Sequence, residues 1–250
     1  MSGSCRTLVV IPTYNERENI EKLIGRLLHL EPALEVLIVD DNSPDGTGQL
    51  ADKFAQRENR VHVLHRPQKS GIGPAYIAGF KWGLGKGYSY LIEMDADLSH
   101  RPRYLPAFLE HLKTWDVVVG SRWIPGGRIA KWAWHRVLLS RLANIYASWV
   151  LGLPIRDLTG GFNCYRREVL ERIDLDEIHS DGYSFQIEMK YRTAKNHSRI
   201  LEIPITFTDR KAGDSKISKR IVWEALLLVW RLKFTVPSLP RISSHEARVV

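Results

Sequence analysis

Two aspartates in the first half of the chain have the spacing of a metal site. Asp95 and Asp97 flank one small residue, Ala96, at the end of an apolar run. Two carboxylates placed in this way can converge on one hard cation. Mg²⁺ and Mn²⁺ need few protein ligands, because phosphate oxygens and water complete their coordination shell. The spacing alone also fits a strand-end turn with solvated aspartates, so the position of the pair in the fold decides between the two interpretations.

A second acidic stretch, residues 40–47 (DDNSPDGT), has the composition both of a nucleotide contact and of a helix cap. A carboxylate at the end of a strand can accept hydrogen bonds from a base or a ribose hydroxyl. Asp and Ser side chains also cap helices by accepting a backbone N–H. We assign Asp41 to nucleotide contact and Asp45 to capping of a helix that begins near Gly46.

Three groups of basic residues suit the binding of phosphate. Arg122 ends an apolar run with a guanidinium, and Arg136 and Ser140 lie one helical turn apart, so both can hold one anion. Arg210 and Lys216 lie in a glycine-containing polar segment, which can close over a diphosphate and shield developing charge. For each group the alternative is a solvated surface charge.

The charge distribution narrows the class of partner. A net charge of +8 is compatible with nucleic acid, anionic lipid or phosphorylated substrates. We expect no nucleic acid partner, because the basic residues flank loops that also carry carboxylates, which nucleic acid would repel. Residues 117–156 combine basic residues with tryptophans and contain no Asp or Glu. This composition suits a lipid headgroup layer, and a solvated basic face over buried tryptophans is the alternative.

Apolar runs that alternate with helix-spaced segments position these residues. Buried strands are predicted at residues 7–12, 36–40, 61–65, 90–95 and 117–121. The segments between them have the apolar spacing of helices. The alternation predicts an α/β fold with a Rossmann-like, mostly parallel sheet flanked by helices. Ligands bind such sheets beyond the carboxyl ends of the strands, where the aspartates and Arg122 lie.

The second half of the chain is less regular. We expect one domain over residues 1–234, which ends in an amphipathic helix at residues 219–234. Residues 235–250 are expected to form a flexible tail.

Six motifs occur in an order that is similar to that of a known enzyme family. They are residues 10–16 (VIPTYNE), 39–47 (VDDNSPDGT), 94–100 (MDADLSH), 120–122 (GSR), 158–162 (LTGGF) and 209–216 (DRKAGDSK). On these motifs the chain resembles the dolichyl-phosphate (polyprenyl-phosphate) mannose synthases, inverting glycosyltransferases of family 2 with the GT-A fold. The resemblance extends from residue 6 to residue 233.

The resemblance implies an enzyme that transfers mannose from GDP-mannose to a polyprenyl (dolichyl-type) phosphate, with Mg²⁺ or Mn²⁺ as cofactor. It implies donor contacts at Pro12, Tyr14, Glu16, Val39, Asp41, Asp95, Ala96, Asp97, Arg210 and Lys216. The implied acceptor contacts are Arg122, Arg136 and Ser140, and the implied metal ligands are Asp95, Asp97 and Ser99. The implied catalytic residues are Asp95, Asp97, Arg122 and Arg210.

Some members of this family carry C-terminal helices that span the membrane. Here the longest C-terminal apolar run, residues 225–230, is much shorter than the about 20 residues that cross a bilayer. The N-terminus also lacks the apolar core of a secretory signal. We expect a cytoplasmic protein that associates peripherally with the membrane surface, directly or through a membrane-anchoring protein. The segment 122–149 and the helix 219–234 are the candidate contacts.

Three other functions stay open at this point. One is a transferase that uses UDP-glucose or another nucleotide sugar with the same lipid acceptor. Another is a transferase with a protein or glycan acceptor, which would not need Arg136 and Ser140 to hold an anion. The last is a non-catalytic protein that binds a nucleotide sugar or an anionic lipid. The intact pair of Asp95 and Asp97 argues against this last function.

Overall fold

A seven-stranded sheet forms the centre of the molecule. A computed structural model describes residues 5–30, 34–208 and 219–235. The strands of this sheet are β1 (Thr7–Thr13), β2 (Leu34–Asp40), β3 (Val61–His65), β4 (Tyr90–Glu93), β5 (Val117–Ser121), β7 (Asn163–Arg166) and β8 (Ile200–Pro204). Their order is β3-β2-β1-β4-β7-β5-β8. All neighbouring strands pair in parallel except β7, which is antiparallel to both β4 and β5.

A second, two-stranded sheet lies beyond the main one. It pairs β6 (Arg128–Ala130) in parallel with β9 (Thr206–Thr208). The α-helices are α1 (Arg17–Leu30), α2 (Thr47–Arg57), α3 (Ile72–Gly85), α4 (Leu105–His111), α5 (Trp134–Leu151), α6 (Arg167–Glu171), α7 (Gly182–Lys195) and α8 (Lys219–Thr235). Two short 3₁₀ helices cover Pro102–Tyr104 and Leu175–Glu177.

The continuous apolar runs of the strands are explained by cores on both faces of the sheet. In β1, Leu8 and Val10 belong to one buried apolar cluster, whereas Val9 and Ile11 belong to another. Successive side chains of a strand point to opposite faces, so a strand covered on both sides must be apolar at every position. Phe80 of α3 packs in the first cluster.

The predicted α/β fold with a mostly parallel sheet is confirmed. The strand predicted at residues 90–95 ends at Glu93, so that Asp95 lies in the following turn. The segment between the fourth and fifth predicted strands, expected to be one helix, is divided into the 3₁₀ turn at Pro102–Tyr104 and α4. The parallel pair of β6 and β9 was not predicted, because strands of three residues carry too little periodicity.

The C-terminal helix predicted at residues 219–234 is present as α8. Within the described part of the chain, no helix combines the length and apolarity needed to span a membrane. The tail predicted at residues 235–250 falls outside the described residues after Thr235.

Close packing of α3 on β1 generates a prediction about stability. A Cβ on Gly79 would lie 2.3 Å from Val10 Cγ1 and 3.2 Å from Val39 Cγ2. We expect Gly79→Ala to lower the free energy of unfolding by about 1–3 kcal/mol, because the core must move to admit the methyl group. Gly85→Ala is the matched control, since a Cβ at Gly85 has no atom within 4 Å. Urea unfolding of both variants measures the difference, and equal midpoints would contradict the packing described here.

Candidate functional site

The polar residues singled out in the sequence meet at one edge of the sheet. The parallel strands β1, β2, β4 and β5 end at the same edge, and Tyr14, Asp41, Asp95 and Arg122 follow them closely. The antiparallel strand β7 begins at this edge, because Asn163 pairs with Glu93 at the end of β4. The loop before β7 is therefore brought in among these side chains.

Asp95 and Asp97 are held by hydrogen bonds in a tight turn after β4. The hydroxyl of Tyr76 donates to Asp95 Oδ1 at 3.0 Å, and the Asp95 N–H donates to His100 Nδ1 at 3.1 Å. Asp97 Oδ1 accepts the N–H of Ser99 at 3.0 Å. Burial, and then the charge of Asp95, raises the pKa of Tyr76 well above its ordinary value. Tyr76 therefore keeps its proton and acts as a donor to Asp95.

Tyr76 was missed by sequence reasoning. It lies on α3, in the middle of a helix that reads as an ordinary buried one, and its ring stacks on Phe185 with the ring centroids 5.9 Å apart. A tyrosine among core aromatics gives no local signal of a polar role. Its partner Asp95 is distant in sequence.

The chemistry of the donor atoms fits a hard divalent cation. Asp95 and Asp97 offer only carboxylate oxygens, and both remain partly exposed at the sheet edge. Ser99 is buried, and its hydroxyl oxygen has no hydrogen-bond partner among the described residues. Within the same residues, no group of three or more His, Cys, Asp or Glu side chains could hold a metal. Water or the oxygens of a bound substrate could complete the coordination shell of a cation at this position.

The predicted nucleotide contact, Asp41, is fixed by two partners. Arg66 Nη1 donates to Asp41 Oδ1 at 2.6 Å, and the Ser70 N–H donates to Asp41 Oδ2 at 3.1 Å. Lys69 Nζ lies 3.8 Å from the centroid of the Tyr14 ring. Arg66 was not found from the sequence, because an arginine just after β3 shows no special spacing. The arrangement places a held carboxylate and a tyrosine ring at the ends of β2 and β1.

The other predicted donor residues that the structure describes lie in or just after β1, β2 and β4. Val39 is buried in β2, and Pro12 is half-buried in β1. Glu16 Oε2 accepts a hydrogen bond from Asn19 Nδ2 at 2.8 Å. Ala96 is buried between the two aspartates.

Asp45 hydrogen-bonds the start of α2, although the N-cap residue itself is Gly46, which makes no side-chain cap hydrogen bond. Asp45 Oδ1 accepts the backbone N–H of Thr47 at 3.0 Å and the Thr47 hydroxyl at 2.6 Å. Helix α2 begins at Thr47, after Gly46 with φ 86°. The neighbouring Asp40 also has a structural role, because its Oδ1 accepts the Ser43 hydroxyl at 2.6 Å.

Arg122 forms a buried ion pair with Asp157. Its Nε donates to Asp157 Oδ2 at 2.8 Å, and its Nη2 donates to Asp157 Oδ1 at 2.7 Å and to Thr159 Oγ1 at 2.8 Å. Burial alone would lower the pKa of Arg122 and raise that of Asp157, but the pairing shifts both pKa values the other way. Both groups therefore stay charged. These bonds occupy Nε and Nη2, so a further ligand would be met by the N–H groups of Nη1.

The two arginines predicted to bind the acceptor lie at the same indole ring. The guanidinium carbon of Arg136 is 4.3 Å from the centroid of the Trp132 ring, and that of Arg122 is 5.9 Å from it. Arg136 is in the first turn of α5, and Ser140 follows one turn later, as predicted. Both side chains are half-buried.

Asn144 connects this helix to the Arg122 ion pair, although the sequence gives no sign of it. It is buried, and its Oδ1 accepts the N–H groups of Leu158 and Thr159 at 2.7 and 3.1 Å. Its Nδ2 donates to Ser140 O and to Thr159 Oγ1. The position of α5 is thus coupled through Thr159 to Arg122.

Arg210 and Lys216 lie outside the described residues. The chain leads into their segment from Thr208, whose N–H donates to Ser99 O at 3.4 Å and whose hydroxyl accepts from Arg101 Nη2 at 2.9 Å. The end of β9 is therefore next to the turn that carries Asp97.

The ion pair generates a second prediction about stability. We expect Asp157→Asn to lower the free energy of unfolding by about 3–5 kcal/mol at neutral pH, because it leaves the buried Arg122 charge without its counterion. Since the pKa of Asp157 is lower in the folded state, its contribution is complete above the unfolded value of about 4 and is lost as the pH falls below it. Chemical denaturation at several pH values should show the difference from wild type shrinking in acid.

Glu110→Gln is the control for this experiment. Glu110 forms an exposed ion pair with Lys113, so its loss should change the free energy of unfolding by less than about 1 kcal/mol. An Asp157→Asn variant as stable as this control would show that the buried pair contributes nothing.

Comparison with known proteins places this architecture in a family. The sequence profile of glycosyl transferase family 2 matches residues 8–174. The chain is 51% identical to the polyprenol monophosphomannose synthase of Mycolicibacterium smegmatis, over 90% of this chain and 85% of that protein. It is 50% identical to the undecaprenyl-phosphate mannosyltransferase of Micrococcus luteus, over 90% of this chain and 93% of that protein.

Solved structures share the fold at much lower identity. Glucosyl-3-phosphoglycerate synthase from Mycobacterium tuberculosis, in complex with Mn²⁺, UDP and phosphoglyceric acid, superposes with a TM-score of 0.69 and 17% identity. The match covers 94% of this chain and 80% of that one. The sequence profile, the two relatives and the shared fold lead to one conclusion: this chain is a glycosyltransferase that belongs to glycosyl transferase family 2.

Proposed function

We propose that this chain transfers mannose from GDP-mannose to a polyprenyl (dolichyl-type) phosphate. The observation that carries the proposal is the meeting of a carboxylate pair, Asp95 and Asp97, with two arginines, Arg122 and Arg136, at one edge of the sheet. The first pair suits a donor diphosphate with its cation, and the second suits an acceptor phosphate. The choice of mannose and of a polyprenyl acceptor rests on what the two relatives are named for.

The donor would lie over the ends of β1, β2 and β4. In this proposal Asp41 accepts hydrogen bonds from the guanosine, with Pro12, Tyr14, Glu16 and Val39 around it. Arg66 contributes indirectly, since it holds the Asp41 carboxylate in place. The backbone at Ala96 would approach the nucleotide between the two aspartates.

Asp95, Asp97 and Ser99 would hold Mg²⁺ or Mn²⁺. When bound, the cation supplies positive charge against the departing diphosphate. The proposal assigns Arg210 and Lys216 to the same diphosphate, where they would close over it and exclude water. The hydrogen bond from the Tyr76 hydroxyl keeps the Asp95 carboxylate oriented.

The acceptor phosphate needs little activation. A phosphate monoester has a second pKa of about 6, so its oxygen is already a nucleophile near neutral pH and we assign no general base. Arg122, Arg136 and Ser140 would hold it in line with the anomeric carbon. A phosphate oxygen bonds to C1 of mannose as the bond from C1 to the diphosphate oxygen breaks, and GDP leaves. One displacement inverts the α-linked donor to a β-linked mannosyl phosphate.

An exposed apolar face suits peripheral binding to the cytoplasmic membrane surface, directly or beside an anchoring protein. On α5, Trp134 and Trp149 are 76% and 77% exposed, and on the adjoining α8, Phe234 is 77% exposed. Further exposed apolar residues on these helices are Leu138, Leu139, Leu142, Ile145, Leu227 and Trp230. Exposed basic residues near them are Arg128, Lys131, Arg141, Arg231 and Lys233. We call this surface the α5–α8 face, and it has the composition of an interfacial helix pair.

Helix α5 would therefore bring the lipid and the site together. It carries Arg136 and Ser140 at its N-terminal end and the apolar residues along its exposed side. A polyprenyl phosphate whose tail lies in the bilayer would present its phosphate to this end of the helix.

The transfer reaction itself tests the proposal. Purified protein is incubated with labelled GDP-mannose, a polyprenyl phosphate in detergent and Mn²⁺ or Mg²⁺, and the lipid is extracted. We expect label in the lipid extract from wild type and no label when EDTA is present. The transfer rate of Asp97→Ala should be lower by a factor of about 100 or more, because a metal ligand is lost. Asp52→Ala, at a partly exposed aspartate of α2, is the control and should keep the wild-type rate.

The outcomes separate the functions considered. Transfer from UDP-glucose but not from GDP-mannose would change the sugar and keep the acceptor. An α-configured product in the NMR spectrum would contradict a single inverting displacement. Binding of GDP-mannose with no transfer to any polyprenyl phosphate, even with membranes added, would mean a non-catalytic protein.

The α5–α8 face generates a separate prediction. We expect the double variant Leu142→Gln, Ile145→Gln to reduce binding to anionic lipid vesicles at least about 10-fold, because two apolar side chains no longer enter the interface. Vesicle co-sedimentation measures the binding. Glu110→Gln with Lys113→Gln is the control at exposed residues of another helix and its following turn.

The transfer rate gives a second readout for the same variants. Transfer to a short-chain, water-soluble acceptor should be unchanged in the α5 variant, since the site is intact. Unchanged vesicle binding would show that another surface meets the membrane.

A further inference from the structure

The loop 158–161, which we call the glycine loop, lies between the two halves of the site. A Cβ on Gly161 would be 3.8 Å from Asp95 Oδ1 and 3.3 Å from Gln186 Nε2. At its other end, the Thr159 hydroxyl accepts a hydrogen bond from Arg122 Nη2 at 2.8 Å. The loop therefore passes close to Asp95 at Gly161, and it accepts a hydrogen bond from Arg122 through the Thr159 side chain. A loop held in one position would keep these two contacts at a fixed separation.

One buried ammonium holds the carbonyl groups of this loop. Lys190 of α7 is fully buried, and its Nζ donates to Gly160 O at 2.6 Å and to Leu158 O at 3.3 Å. Gly160 O also accepts from Asn163 Nδ2 at 3.2 Å. The N–H groups of Leu158 and Thr159 donate to Asn144 Oδ1. Lys190 and Asn144 together thus hold three of the four loop residues, Leu158, Thr159 and Gly160.

The charges around Lys190 offer a simpler explanation for its burial, namely charge balance. Glu93 and Asp157 favour its charged form, and Glu202 does so more weakly, whereas burial and Arg122 oppose it. Glu93 is itself fully buried, and its Oε2 accepts from Asn163 Nδ2 at 2.6 Å. Lys190 could serve only to balance Glu93. Balancing a charge, however, does not require an ammonium pointed at two carbonyl oxygens, and a buried lysine carries a large desolvation penalty.

We propose that Lys190 is a positioning residue, which fixes the glycine loop by hydrogen bonds to its carbonyls and so sets Asp95 relative to Arg122. This inference rests on the proposed function, because only a transfer reaction requires a defined distance between Asp95 and Arg122. In that reaction the acceptor phosphate must be in line with the bond that breaks in the donor. Lys190 touches neither substrate. It acts through the backbone of residues 158–161.

Paired variants separate positioning from charge balance. In the background Glu93→Gln, both Lys190→Met and Lys190→Gln remove one positive and one negative charge together and leave side chains of similar volume. Only the glutamine retains N–H groups that could donate to the loop carbonyls. Lys195→Met, near the end of the same helix and at a partly exposed position, is the control for loss of a lysine from α7.

We expect Glu93→Gln with Lys190→Met to lower kcat by about 10- to 100-fold, because small misplacements of reacting groups have effects of this size. The binding of GDP in the presence of Mn²⁺, measured by calorimetry, should change by less than about 3-fold, since each half of the site still forms. Glu93→Gln with Lys190→Gln should recover part of the lost kcat. Lys195→Met should match wild type in both measurements.

Hydrogen exchange tests the same idea without catalysis. Backbone amides of the glycine loop should exchange faster in the methionine variant than in the glutamine variant, while the amides of β4 exchange alike. Equal kcat and equal loop exchange in the two variants would overturn the positioning role and leave charge balance. If wild type itself transfers no mannose, the proposed function fails, and the exchange of the loop still decides what Lys190 does.

Discussion

The Arg122–Asp157 ion pair is the interaction on which the arrangement of the site depends. Two charges without access to water are unfavourable unless each hydrogen-bonding group finds a partner. Here the guanidinium meets the carboxylate with two N–H groups, and the Arg122 backbone N–H donates to the same carboxylate at 2.8 Å. The carboxylate of Glu202 accepts the backbone N–H groups of Arg156 and Asp157. The end of β5, the start of the glycine loop and β8 are joined at one point.

The antiparallel strand β7 explains how the loop reaches that point. A wholly parallel sheet would bring only the loops that follow its strands to the carboxyl edge. Because β7 runs the other way between β4 and β5, the residues that precede it also arrive there. Asn163, its first residue, binds Glu93, Gln186 and Gly160 O with one amide group. A single reversed strand thus brings an additional loop between Arg122 and the turn that carries Asp95 and Asp97.

The sequence predicted the sheet, most helices and the residues that face the edge, because these follow from local spacing. Apolar runs identified the strands, and the carboxylate pair and Arg122 stood just after them. The partners that hold these residues were not predicted. Asp157, Asn144, Tyr76 and Lys190 lie far along the chain from what they contact, and each sits in a segment that reads as ordinary loop or buried helix. Long-range polar contacts have no period in the sequence, so only the folded chain reveals them.

Through Asn144, helix α5 and the glycine loop are joined by hydrogen bonds, so that neither can be replaced independently of the other. The helix carries the exposed apolar residues and the Arg136–Ser140 pair, and its buried asparagine binds two N–H groups of the loop. A helix that replaced α5 without an asparagine at this position would lose these bonds to the loop. A graft of α5 into another scaffold would therefore have to carry residues 134–161 together to keep the contact between the helix and the loop.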